Sequence, residues 1–368
     1  MRDKLAELPV DVETDEAGNQ WATLPGASES AVLIGGHIDS VPNGGWLDGC
    51  LNVLAGLEVL RRIAEEGQPP VTVRLVDWAD EEGARFGRSL FGSSAASGTL
   101  DPNDLRTLKD RDGVALPDAL AEHGVDLDRA REAGTRLEGA VAYLELHIEQ
   151  GPVLEDLGLP LGVVLGTYGV ERHAIRFTGQ SAHAGSTPMD RRRDALSAAA
   201  RLALEIREIA KRGGGVGTVG SVVTRPGIVT AVPGWCEMTL DQRHLAADTL
   251  AEMLAEARAA SDRIAADENV AVEWERLWRI GPIHFDSTLI ELAEEAVIET
   301  AGVSHRLPSG PLHDAAEVAR AGVPTVMLFV QSLNGLSHAK EEDTKPEHLE
   351  LAVRALDRLA SRAIEHAA

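Results

Sequence analysis

The sequence predicts an α/β protein with a mixed, largely parallel sheet flanked by helices, interrupted by a smaller α+β block with a four-stranded antiparallel sheet. Three observations predict it. Buried-type apolar runs alternate with helical stretches up to residue 166. Near Thr167 the pattern changes to the polar–apolar alternation of half-exposed antiparallel strands. From about Phe285 the first pattern returns. The simplest organisation is one discontinuous domain, residues 1–166 and 284–368, with residues 167–283 inserted as a second domain.

Ala31-Val-Leu-Ile34 reads as a buried strand running into Gly35-Gly36, and Leu51–Glu66 has helical apolar spacing at Leu51, Leu54, Leu57, Val59 and Leu60. Val71–Asp77 is the next strand, Pro102–Glu138 a charged, helix-prone surface excursion, and Val141–His147 and Gly162–Leu165 further strands. In the inserted block the expected order is strand His173–Thr178, helix Asp194–Arg212, strands Val219–Val223 and Trp235–Asp241, helix Asp248–Asp267 and strand Ala271–Arg279. A helix after Phe285, strand Thr325–Val330 and a long helix from Pro346 complete the chain.

Composition excludes several function classes. The 368 residues carry a net charge of −24, which repels nucleic acid and anionic membrane surfaces. An anionic substrate therefore needs local cationic contacts. No run approaches the roughly 18 apolar residues of a membrane span. The opening MRDKLAELPVDVETDEAGNQ lacks an apolar signal region, so the cytoplasm is the expected location. Two cysteines, Cys50 and Cys236, are too few for a disulfide scaffold or thiolate metal site, and Cys50 is expected as a small buried thiol.

The chemistry is carried by short segments of His, Asp and Glu. His37 follows a strand, and Asp39 is placed for its carboxylate to accept a hydrogen bond from the imidazole and fix the metal-binding tautomer. Asp48 lies in a Gly-rich loop before a helix, where a carboxylate can bridge two cations. Glu81 and Glu82 follow a strand; adjacent carboxylates diverge, so one can bind metal while the other takes a proton from water. His147 ends a strand, with Gln150 beyond it to orient a substrate, and His338 follows Ser337 near the last strand. His37, Asp48, Glu82, His147 and His338 would hold two divalent metals through a shared carboxylate, and their O and N donors suit Zn, Mn, Co or Ni.

These segments, GGHIDSVPNGGWLD, DEEGARF, ELHIEQG, AHAGSTPM and Ser337-His338, resemble the amidase/hydantoinase/carbamoylase branch of the aminoacylase and carboxypeptidase-like dinuclear metallohydrolases. The branch includes N-carbamoyl-L-amino acid hydrolases, β-ureidopropionases and allantoate amidohydrolases. The resemblance implies a zinc-exopeptidase-like fold with an inserted lid and dimerisation domain. It further implies one metal among His37, Asp48 and His147, a second among Asp48, Glu82 and His338, and Glu81 as general base. By the same resemblance His183 would polarise the scissile carbonyl from a partner subunit, and Arg243 would clamp a substrate carboxylate. His313, in His-Asp-Ala, would sit near the site and contribute to substrate binding. The expected protein is a homodimer acting on a small molecule with a carboxylate and a ureido or amide group.

Three departures stand out. Thr230 occupies the place of a substrate-contacting asparagine, without the amide's two donors. Ser309-Gly-Pro-Leu312 replaces a glycine-rich lead into His313, and the threonine–arginine segment that borders the pocket in relatives is missing before the first motif. The expected reaction is hydrolysis of N-carbamoyl-L-amino acids to amino acid, CO2 and ammonia. Its rivals are allantoate hydrolysis, cleavage of another N-acyl-amino acid or peptide, and a metal-retaining binding protein without catalysis. That last class should lack a ligand or base, and none is missing here.

Overall fold

The computed structural model describes residues 1–368, which form two compact units: Met1–Gly166 with His284–Ala368, and Thr167–Ile283. In the first unit the strands are β1 (Asp11–Thr14), β2 (Gln20–Leu24), β3 (Ala31–Gly36), β4 (Thr72–Asp77), β5 (Ala140–Ile148), β6 (Leu161–Thr167), β7 (Arg306–Ser309) and β8 (Thr325–Val330). They lie in the order β1-β2-β4-β3-β5-β8-β6, with β7 also beside β6. The central four, β4, β3, β5 and β8, are mutually parallel. β2 and β6 run antiparallel to these four, and β1 pairs antiparallel with β2.

Every residue of β3 and β8 is buried, as expected for strands covered on both faces. Ile34, Leu75, Leu144 and Leu328 lie on the face that helices Cys50–Glu66, Ser287–Ala301 and Pro346–Ala367 cover. Along Cys50–Glu66 the buried stripe is Leu51, Val53, Leu57, Leu60 and Ile63. Leu54, expected on that stripe, is half exposed on the outer face.

The β1–β2 hairpin has no counterpart in the sequence reading. All four residues of β1 are exposed, so it carries no apolar pattern. What holds it is the turn: Asp15 Oδ1 accepts from the amides of Ala17 and Asn19, both at 3.0 Å, and Asp15 Oδ2 accepts from Trp21 Nε1 at 2.8 Å. The Pro102–Glu138 excursion contains only short helices, Pro102–Leu105, Leu116–Glu122 and the 3₁₀ segment Ala130–Leu137.

The second unit is a four-stranded antiparallel sheet in the order Ala271–Ile280, Gly169–Thr178, Trp235–His244, Val216–Arg225. Alternation in Trp235–His244 turns Cys236, Met238 and Leu240 inward, opposite Phe177, Ile175 and His173. Helices Ala195–Gly213 and Ala247–Glu268 cover that face with Leu202, Ile206, Met253 and Ile264. Asp194 caps the first helix by accepting from the amides of Leu196 and Ser197. No helix of the protein is long and apolar enough to cross a membrane.

Candidate active site

The four parallel strands end at one edge of the sheet, and each delivers part of a cluster. His37 follows β3, Glu81 and Glu82 follow β4, His147 lies one residue from the end of β5, and His338 follows β8. β3 lies between β4 and β5, the point where successive connections leave in opposite directions and open α/β sheets place their ligands. Asp48 comes from the loop leading into helix Cys50–Glu66. Gly49 (φ 64°) passes so close to the His37 ring that a Cβ would lie 2.3 Å from its Cε1.

The ligand atoms form two trios, His37–Asp48–His147 and Asp48–Glu82–His338, each within 4.8 Å. Asp48 Oδ1 lies 3.0 Å from His147 Nε2 and 3.8 Å from His37 Nε2. Asp48 Oδ2 lies 3.4 Å from His338 Nε2, which is 3.3 Å from Glu82 Oε2. His37 Nδ1 donates to the Asp39 carbonyl at 3.0 Å, and His147 Nδ1 to the Ile148 carbonyl at 2.8 Å. A carbonyl only accepts, so both rings carry hydrogen on Nδ1. Neutral rings then turn Nε2 lone pairs toward Asp48, and a proton or a cation must lie between them. Glu82 Oε1 is buried without a hydrogen-bond partner. This donor set fits a pair of divalent ions.

Asp39 departs from expectation. Its carboxylate lies 3.5 Å from His37 Nδ1, and its oxygens accept from the amides of Glu81 and Glu82 at 3.2 and 3.1 Å. Asp39 thus ties the two-glutamate turn to the His37 segment. Gln150 donates through Nε2 to Asp48 Oδ2 at 2.8 Å and to Ser337 Oγ at 2.9 Å. Asp80, Gln150 and His338 hold positive φ of 52°, 57° and 55°, a conformation costing about 1–3 kcal/mol each that clusters at functional sites.

Electrostatics in the absence of metal follow from burial. Burial would lower the His37 imidazole, but Asp39 and Glu81 lift it well above its ordinary value. At His147 burial is likewise outweighed, mainly by Asp48. Burial would raise the Asp48 carboxyl, yet His147 and His37 hold it well below the usual carboxylate range. Burial raises Glu81 well above that range, with Asp314 and Glu82 adding to it against His37.

A pH dependence follows. The raised histidines contribute stability that is full below their unfolded value near 6.5 and is lost as pH rises through the higher folded values. The raised, buried Glu81, Glu145 and Asp314 act in the same direction above the unfolded carboxylate range. The contribution of Asp48 is already complete above 3.8. Chelator-treated protein is therefore expected to melt at a lower temperature at pH 8.5 than at pH 5.5. A flat or rising melting temperature over that range would contradict this.

Residues that the sequence reading passed over support the cluster. Glu145, on the same face of β5 as His147, accepts from Tyr143 Oη at 2.8 Å and the Ala315 amide at 2.9 Å. Its place inside ELHIEQG was the available signal. Glu342 is buried and accepts from the amides of Leu47 and Asp48. His313 packs its ring 4.3 Å from that of His147 and donates through Nε2 to Ser309 Oγ at 3.0 Å, since the Ser309 hydroxyl is donated to the Pro311 carbonyl. The Ser309 departure thus fixes the tautomer of His313, which burial keeps neutral. Cys50, expected buried, is partly exposed at the start of its helix.

His183, Thr230 and Arg243 belong to the second unit. His183 Nδ1 accepts from the amides of Gly185 and Ser186 and lies 2.9 Å from Ser186 Oγ, so in the neutral ring Nε2 bears the hydrogen. Thr230 is exposed and its carbonyl accepts from the Ala184 amide at 2.8 Å, beside the short ladder pairing Ala231 with His183. Arg243 forks onto Asp241 at 2.7 and 3.1 Å, and Asp241 also accepts from Arg172 at 2.6 Å.

The family model described as Peptidase family M20/M25/M40 matches residues 33–362. An N-carbamoyl-L-amino acid amidohydrolase of Geobacillus stearothermophilus is 38% identical over 96% of this chain and 87% of its own length. The allantoate amidohydrolase of Escherichia coli is 34% identical over 96% of this chain and 86% of its own. A solved amidase of the hydantoinase/carbamoylase family from Burkholderia multivorans is 34% identical, with a TM-score of 0.89 over 99% of this chain and 89% of that one. A Bacillus subtilis dinuclear metal binding peptidase of family M20, 16% identical with a TM-score of 0.64, shares the fold.

Proposed function

The chain belongs to peptidase family M20/M25/M40, and from that premise we propose that its site cleaves the ureido C–N bond of N-carbamoyl-L-amino acids, using two divalent ions, Zn or one of Mn, Co and Ni. It is a hydrolase acting on linear amide C–N bonds. The observation that carries the dinuclear reading is Asp48, each of whose two oxygens lies near different imidazole nitrogens, those of His147 and His37 by Oδ1 and that of His338 by Oδ2.

His37, Asp48 and His147 would hold one ion; Asp48, Glu82 and His338 would hold the other. When bound, such ions make water acidic and polarise a carbonyl oxygen. Glu81 takes the proton of the attacking water and returns it to the leaving nitrogen. His183 donates through Nε2–H to the oxygen on which charge develops, and Arg243 pairs with the substrate carboxylate. Gln150 orients the ureido group from beside Asp48, and Thr230 contacts substrate with a single hydroxyl. Asp39 holds the His37 segment to the two-glutamate turn, and His313 contributes to substrate binding beside His147. The products are the amino acid, CO2 and ammonia. The acting form is a cytoplasmic homodimer in which His183 and Arg243 serve the partner's site; a fully active monomer in solution would refute that arrangement.

Metal-free protein reloaded in turn with Mn²⁺, Co²⁺, Ni²⁺ or Zn²⁺ should release ammonia from N-carbamoyl-L-amino acids and lose that activity on chelation. Release from allantoate alone would move the substrate to the rival represented by the Escherichia coli relative. No ammonia from either class, with turnover of N-acetyl-amino acids, would overturn the ureido assignment and leave the amidase chemistry.

A further inference from the structure

We propose that Glu342 is the positioning residue that sets Asp48 between its two groups of histidines, an inference that rests on the dinuclear reading. Asp48 belongs to a loop with two glycines, Gly44 and Gly45, whose backbone has little conformational preference of its own. Something must hold such a loop if a carboxylate on it is to bridge two cations at fixed geometry. Glu342, only 2% exposed and almost three hundred residues further along the chain, meets that need.

Its Oε1 accepts from the amides of both Leu47 (3.2 Å) and Asp48 (3.0 Å). These bonds fix the orientation of the peptide that carries the Asp48 side chain. Gly45 gives the carboxylate room, since a Cβ there would lie 2.1 Å from Glu342 Oε1. Oε2 lies 3.2 Å from Ser337 Oγ, and Ser337 precedes the candidate ligand His338. One carboxylate therefore fastens the Asp48 loop to the His338 segment.

Ser337 makes the link responsive. It has one hydroxyl hydrogen and two carboxylate acceptors, Asp48 Oδ2 at 3.0 Å and Glu342 Oε2 at 3.2 Å, while Gln150 donates to its oxygen. A cation held by Asp48 would compete with the hydroxyl for its carboxylate and leave Glu342 as the acceptor for that hydrogen. The tether then tightens as the site fills. Glu342 touches no ligand atom of Asp48 itself and is a positioning residue rather than a catalytic one.

The test uses the full chain, Co²⁺ as probe, competition against a chromophoric chelator and the visible Co²⁺ bands. Removal of such a partner typically weakens metal binding about 10–100-fold. E342A should show that loss and altered bands, together with a lower metal-free melting temperature because the buried Leu47 and Asp48 amides lose their acceptor. E342Q, which keeps an oxygen for both amides, should recover most of the affinity. Wild-type affinity and bands in E342A overturn the assignment, as does an E342Q no better than E342A. Should E342A not fold, E342D keeps the charge one methylene short and should bind about 10-fold more weakly; wild-type affinity there overturns the proposal too. Wild-type protein that takes up no Co²⁺ would instead overturn the dinuclear reading, a result distinct from wild type and E342A binding alike.

Discussion

Glu81→Gln is expected to leave two metal ions bound per chain and to lower kcat by about 10²–10⁴-fold, the range that general acid–base catalysis contributes. The amide has the shape of the carboxyl and fits the same buried space beside His37, whose Nε2 lies 3.7 Å from Glu81 Oε2. Its amide N and carbonyl O feel the same tether, because the Glu81 amide is held by Asp39 and the Glu81 carbonyl accepts from the Leu90 amide at 2.7 Å. What glutamine cannot do is accept a proton from water and return it to a leaving nitrogen. Metal content by mass spectrometry and ammonia release at saturating substrate, measured on the same preparation, separate the two roles. A kcat near wild type would remove Glu81 from the mechanism. Loss of metal would make it a ligand, and Glu82 would then be the better candidate for the base.

The contrast between Glu81 and Glu82 also shows how far the sequence could be read. Adjacency predicted that the two carboxylates would diverge, and they do, Glu81 toward His37 and Glu82 toward His338. His37, Asp48, His147 and His338 were legible because each stands in a short, unusual string, His37 and His147 at strand ends and Asp48 and His338 in the loops beyond. The parallel strands were legible for a related reason: burial on both faces demands continuous apolar runs such as TVMLFV. Glu342 was not legible. It sits in Lys-Glu-Glu-Asp, which reads as a solvated charge run, and Glu341 beside it is indeed exposed. Only a contact across nearly the whole chain separates the two. The β1–β2 hairpin escaped because its stability lies in the hydrogen bonds of Asp15 rather than in any apolar period. Asp39 was placed on the right segment, and its carboxylate lies 3.5 Å from the imidazole, but that it also accepts from the Glu81 and Glu82 amides was not legible.

Asp48→Asn should cost more than any other single change at the site, lowering affinity at both metal positions by more than the roughly 100-fold that loss of a supporting partner brings. Asn preserves volume, and its backbone amide can still donate to Glu342. The side chain, however, now presents one oxygen and one NH2 where two charged oxygens faced His147 and His338. A neutral amide cannot bridge two dications, and its NH2 end has no lone pair for a metal. Both trios contain Asp48, so the loss should be shared rather than confined to one site. Substituting His338, which belongs to one trio, should by contrast empty one site and weaken the other little. Titration with Co²⁺ distinguishes these outcomes: near-complete loss of both binding steps in D48N against loss of one in H338A. Retention of one full-affinity step in D48N would show that the carboxylate serves a single ion, and the bridging role would have to be abandoned.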